Sequence, residues 1–150
     1  EILQEQSQQF LLPICYLKRN NIELELKTMY LSFVSGDDWN KHLEQVKDAK
    51  HKICKLWKML KPVLDKAYFG REDEITLIAD YLQKLHSFDT DAAHFRYPTD
   101  KCLKAYSIGS QKYDGENMIL FIDSLYNAIE GVYMCIEEYF SNNELSRRYI

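Results

Sequence analysis

Residues 10–34, FLLPICYLKRNNIELELKTMYLSFV, form one amphipathic pattern with a run of charge through its middle. Its apolar residues recur at helical spacing. Phe10, Ile14, Leu17, Leu24 and Leu31 mark parts of the helix wall, and Ile22, Leu26, Met29 and Phe33 fill in the rest. Arg19, Glu23 and Lys27 follow at steps of four, so they stack along one face of that helix. A polar row on an otherwise apolar helix is either a solvated stripe or a site. What the row can do depends on which other groups the chain brings to it.

Outward from that helix, the composition favours more helix. Five Gly and three Pro in 150 residues are too few for a sheet with many turns. The length suits one domain, residues 1–150, with a core that needs neither disulfide nor metal. Eleven Tyr and seven Phe are expected mainly in that core or an interface. A net charge of -4 argues against bulk electrostatic binding of nucleic acid, though not against a local basic patch. Cys15, Cys54, Cys102 and Cys135 form no CxxC, which disfavours a zinc ribbon or redox motif. Buried thiols in a reducing cytosol fit them better, so the expected location is cytoplasmic. No run of 18 apolar residues is seen, and no membrane span is expected. The pattern is already running at Glu1, which leaves an upstream segment open.

Further helices follow. Residues 39–50 are polar and mixed, and read as a loop with a helical turn. Asp37 or Asp38 is expected to cap its start, after a stop at Gly36. Residues 51–66 carry Ile53, Leu56, Trp57, Leu60, Val63 and Leu64 on one face, and Lys52, Lys55, Lys58 and Lys61 on the other. Pro62 should bend or end that helix. Residues 72–85 form the next, with Ile75, Ile78, Tyr81, Leu82 and Leu85 inward. Residues 86–115 are irregular, with a short hairpin expected around 102–111. Residues 116–140 hold the longest apolar stripe, from Met118 through Ile129 to Phe140.

Three stretches together carry a family resemblance: YLKRNNIELELK at 16–27, HKICKLW at 51–57 and FRYPTDK at 95–101. They resemble bacterial proteins related to the HEPN superfamily (higher eukaryote and prokaryote nucleotide-binding). Those proteins carry an Arg-His pair before Glu-Leu and Leu-Lys on a first long helix. They also have a His-led segment into a Lys-Leu-Trp helix, and a Phe-Arg-Tyr-Pro loop before the last helix. The resemblance implies an all-α bundle of four to five helices with one long irregular loop before the last, often dimeric. It also implies kinship with ribonucleases of toxin–antitoxin and other bacterial defence systems, and with non-catalytic members that bind nucleotides or partner proteins. Two departures weigh against catalysis here. No Arg is followed by His at the nuclease spacing of four to six residues, and Asn20 stands where the nearer relatives have the His of their pair.

The candidate ligand-binding residues are therefore Arg19, Asn20, Glu23, Lys27, His51, Arg96, Tyr97, Asp100 and Lys101. Arg19 and Lys27 would donate to a phosphate while Glu23 holds their geometry. The plainer reading is two surface salt bridges. His51 opens a helix and would reach Asn20 and Glu23 as an acid–base group, or simply serve as a cap. Arg96 would cover the polar row, or pair structurally with Glu23. His51 and Arg96 are the candidate catalytic residues. His42, His86 and His94 with Asp89 and Asp91 match no ligand spacing, so neither metal nor other cofactor is expected. The Lys face is read first as solvated.

The expected function is a degenerate HEPN-like module that binds a nucleotide, RNA or a partner protein from the same operon. It would act as a homodimer through the last helix or the first. The alternatives are a metal-independent ribonuclease with a non-standard site and a purely structural dimerisation domain.

Overall fold

A computed structural model describes the backbone of residues 2–34, 38–89 and 115–148, and the side chains of 11–34, 38–89 and 117–143. Six helices run in order: α1 Ile2–Phe33, α2 Trp39–Ala49, α3 Ile53–Met59, α4 Lys61–Ala67, α5 Glu72–Phe88 and α6 Gly115–Arg148. No strand occurs among the described residues. The all-α class is as the sequence implied, with more helices than four or five.

Two of the extra boundaries have local causes. Residues 39–49 form a full helix rather than a loop with one turn. Asp38 accepts a hydrogen bond from the Lys41 N–H at 3.2 Å, a side-chain cap at the helix start. Val46 and Ala49, three apart, bury one narrow stripe of that helix. Trp39 and Leu43 continue the same line at helical spacing, a pattern that the surrounding polar residues outnumber. The helix expected over 51–66 divides at Leu60, because Pro62 at the start of α4 has no N–H to continue the α3 ladder. Its apolar face is not interrupted: Ile53, Leu56, Trp57, Leu60, Val63 and Leu64 are all buried. α6 runs on past Asn143, where the Nδ2 group donates to the Tyr139 carbonyl at 2.8 Å. The stop at Gly36, the hairpin at 102–111 and the rest of residues 90–114 lie outside the described residues.

α1 and α6 pack side by side and run parallel. Lys18 pairs with Asp123, Glu25 faces Glu130, and Phe33 lies against Tyr133 and stacks on Phe140 with centroids 5.8 Å apart. Each pair is offset by roughly the same number of residues, as two helices of equal rise require. Cys15, Ile22, Leu26 and Met29 of α1 meet the core shared with Ile122, Leu125, Ile129, Val132 and Ile136 of α6. α3 and α5 close the other side through Leu56, Leu82 and Leu85. By length and a mean hydropathy of 1.4, residues 117–143 would suffice to cross a membrane. Here the inner face of that helix belongs to the bundle core. An open apolar groove of about 440 Å³ runs between α5 and α6, lined by Leu77, Tyr81, Leu120 and Phe121 among others.

Candidate functional site

The polar row of α1 turns inward. Arg19 is fully buried and Glu23 is 2 % exposed. A charge removed from water costs several kcal/mol unless partners replace the water. Arg19 has such partners on three chain segments. Its Nη1 donates to Glu23 Oε2 at 2.7 Å. Nη2 donates to the carbonyl of His51. Nε lies 3.7 Å from Oδ2 of Asp89, which is also fully buried. That distance is too long for a hydrogen bond and short enough for an ion pair. One guanidinium thus ties α1 to the turn before α3 and to the C-terminal end of α5.

Glu23 collects the remaining cations. Lys27 Nζ donates to its Oε1 at 2.6 Å. His51 Nδ1 lies 3.0 and 3.1 Å from its two oxygens. Burial pushes the Glu23 carboxyl up. Hydrogen bonds from Lys27 and Arg19, with the charges of Lys27 and His51, outweigh that and hold it below the usual range. An ionised Glu23 can only accept, so His51 Nδ1 carries the proton facing it. The other ring nitrogen, Nε2, is then the one left for solvent or a ligand. The His51 side chain is 55 % exposed and that of Lys27 is 23 % exposed.

The turn that delivers His51 is a strained one. Lys50 has φ +51 and ψ −124, a positive-φ conformation that a residue with a Cβ rarely adopts, at a cost of about 1–3 kcal/mol. Its N–H donates to the Lys47 carbonyl at 3.0 Å, and the Lys52 N–H donates to Ala49 at 3.0 Å. With the chain reversed there, both the carbonyl and the ring of His51 face α1.

The structure brings Arg19, Glu23, Lys27 and His51 together. Asn20 is half-buried beside them, and among the described residues no hydrogen bond joins it to the row. Arg96, Tyr97, Asp100 and Lys101 lie outside the described residues, as do His94 and Asp91. His42 and Asp89 are engaged in different places. His42 Nδ1 meets the Tyr30 hydroxyl at 2.6 Å, while Asp89 faces Arg19. Among the described residues no three His, Cys, Asp or Glu side chains are placed to hold a metal. Lys52, Lys55, Lys58 and Lys61 are all exposed.

Sequence reasoning missed two participants. Asp89 was grouped with the irregular segment, yet it continues the buried line Ile78, Leu82, Leu85 at helical spacing. A carboxylate on a buried line calls for a buried cation. The second omission is Tyr30, whose hydroxyl bonds both His42 and Gln45 and pins α2 to α1. One hydroxyl has one proton. If it donates to the Gln45 carbonyl oxygen, His42 Nδ1–H must be the donor to Tyr30. Nothing in the sequence pairs these residues before α2 is known to be a helix.

No protein-family model matches the chain, and no curated protein or solved structure matches it.

Proposed function

We propose that this chain is a non-catalytic, HEPN-like module that binds a phosphate-bearing ligand, a nucleotide or RNA, at the outer edge of the Arg19–Glu23 pair. One observation carries the reading. Glu23, itself buried, grips Lys27 and His51 at 2.6–3.1 Å while both cation-capable side chains still reach solvent. Two donors, Lys27 Nζ and His51 Nε2 when protonated, are thereby held at one rim with little rotamer freedom left to lose on binding. Arg19 is a positioning residue, because all three of its nitrogens face protein groups. The motifs at 16–27 and 51–57 that carry the family resemblance supply the groups of this rim. Bacterial defence is the setting that resemblance suggests, an analogy at the level of fold.

The test is filter binding with a labelled RNA pool and free nucleotides, followed alongside by thermal melting. His51→Ala and Lys27→Ala should each weaken retention by about tenfold, the loss of one charge-assisted hydrogen bond. Retention equal to the native protein in both variants overturns the reading.

A second reading draws on one feature of the same geometry. A carboxylate on Nδ1 with Nε2 turned outward is how a general base is oriented. In a metal-independent ribonuclease, Nε2 would take the proton of a ribose 2′-hydroxyl as its oxygen bonds to phosphorus. A 2′,3′-cyclic phosphate would form as the P–O5′ bond breaks, and the leaving 5′-oxygen would take a proton from water. RNA cleavage that disappears in His51→Ala, with the melting curve unchanged, would establish that reading over the first.

A further inference from the structure

The groove between α5 and α6 has two unlike ends. Tyr68, just before α5, meets Cys135, and Tyr81 meets the Phe121 ring edge-on with centroids 5.9 Å apart. Residue numbers rise along α5 as they fall along α6, so the two helices run antiparallel. Lys84 is then level with the start of the groove on α6, at Asn117, and Leu77 with its far end, toward Ala128. Leu77, Tyr81, Leu120 and Phe121 make the walls between. Leu77 is 53 % exposed, Tyr81 37 % and Leu120 63 %, so these large apolar side chains border an open channel and not a sealed core. Lys84 Nζ lies over the Tyr81 ring, 5.2 Å from its centroid. Among the described residues no carboxylate forms an ion pair with Lys84. One end of the channel is therefore apolar, and the other carries a cation without a counter-charge.

We propose that this channel binds a medium-chain fatty-acid anion, its tail toward Ala128 and its carboxylate at Lys84. Section and charge select that occupant. From 117 to 128 the channel is about 16 Å long at the helical rise. Its volume of about 440 Å³ spread over that length gives an average section of roughly 27 Å². A helix about 10 Å across needs about three times that section, so it would rest on the rims without entering. A single extended alkyl chain enters, and its burial against Leu77, Leu120 and Phe121 drives it in. Lys84 covers the Tyr81 ring with its stem while its ammonium stays in water. That is where the head of a chain lying in the channel emerges. A carboxylate there gains a charge-assisted hydrogen bond. A neutral head gains none, and a cationic head meets Lys84 as a like charge. This inference does not rest on the ligand reading above, whose donors Lys27 and His51 belong to α1 and the turn before α3.

The probes are sodium decanoate, decanol and decylammonium chloride, each well below its micelle concentration. Titration calorimetry of the full chain measures binding, and amide shifts of the isotope-labelled protein locate it. Decanoate should bind with a Kd of roughly 10–100 µM, and decanol about tenfold more weakly. Decylammonium should show no binding below about 1 mM. The shifts should cluster on residues 77–84 and 117–128. Lys84→Gln should bring decanoate to the level of decanol and leave decanol unchanged. Ala128→Phe should fill the tail end and weaken both by about tenfold. Both positions are exposed, so the melting curves of the two variants should match the native one. No decanoate binding up to about 1 mM overturns the proposal. Decanol or decylammonium bound as tightly as decanoate overturns the anionic head. Native affinity in Ala128→Phe, or shifts on another face, overturns the channel as the site.

Discussion

Glu23 and Glu25 sit two residues apart on α1, in opposite electrostatic surroundings. Glu23 faces the α3 side and receives Arg19, Lys27 and His51. Glu25 faces the α6 side and meets Glu130. Burial pushes both carboxyls up. Donors reverse the shift at Glu23, and a like charge adds to it at Glu25. Residue type by itself says little about either carboxyl. One glutamate organises a buried ion cluster, and its near neighbour faces another carboxylate.

The largest effect should come from removing the cation on the Glu23 side. Arg19→Ala leaves Glu23 and Asp89 buried with no guanidinium between them, and frees the His51 carbonyl. Breaking a buried pair from one side costs about 3–5 kcal/mol. Urea denaturation of the variant should show a loss in that range, with the end of α5 the first segment to gain amide exchange. A loss below about 1 kcal/mol, the level of an exposed salt bridge, would show that the cluster is no more than a surface feature.

Glu23→Gln should cost less, about 2 kcal/mol near neutral pH, because shape is kept and only charge-assisted hydrogen bonds weaken. Its signature lies in the pH dependence. The folded Glu23 carboxyl sits below its unfolded value of about 4.3. Its contribution is therefore fully present above that pH and is lost as pH falls through the folded value. Native stability should decline on acidification below about pH 5, and Glu23→Gln should flatten that decline. Identical slopes in the two proteins would remove Glu23 from the acid-sensitive groups.

The two sides of α1 also differ in what the sequence made legible. The row of Arg19, Glu23 and Lys27 was visible from steps of four, and His51 from its place at a helix start. Which way the row faces was not visible, because helical spacing gives relative positions on a wheel and not the side on which neighbours pack. The leucines at 17, 24 and 31 announced a helix wall without saying that the buried wall is Cys15, Ile22, Leu26 and Met29. Asp89 escaped because a buried acid makes sense only once its cation is known to be buried across from it. α2 escaped although Trp39, Leu43, Val46 and Ala49 fall at helical spacing, because seven of its eleven residues are polar and only Val46 and Ala49 are buried.

The smallest effect is expected for Glu25→Gln. The folded Glu25 carboxyl is raised above its unfolded value. The linkage therefore runs the other way from Glu23: its contribution is present below the unfolded pKa and is lost as pH rises through the folded value. At neutral pH the charge is a liability beside Glu130, so neutralising it should stabilise the chain. Glu25 is only partly buried, and screening keeps the gain to no more than about 0.5 kcal/mol. That gain should shrink as pH falls toward about 4, where the native carboxyl is itself protonated. Urea denaturation of the two proteins at about pH 7 and about pH 4 measures this, and an equal gain at both pH values would remove the Glu25 charge as its cause.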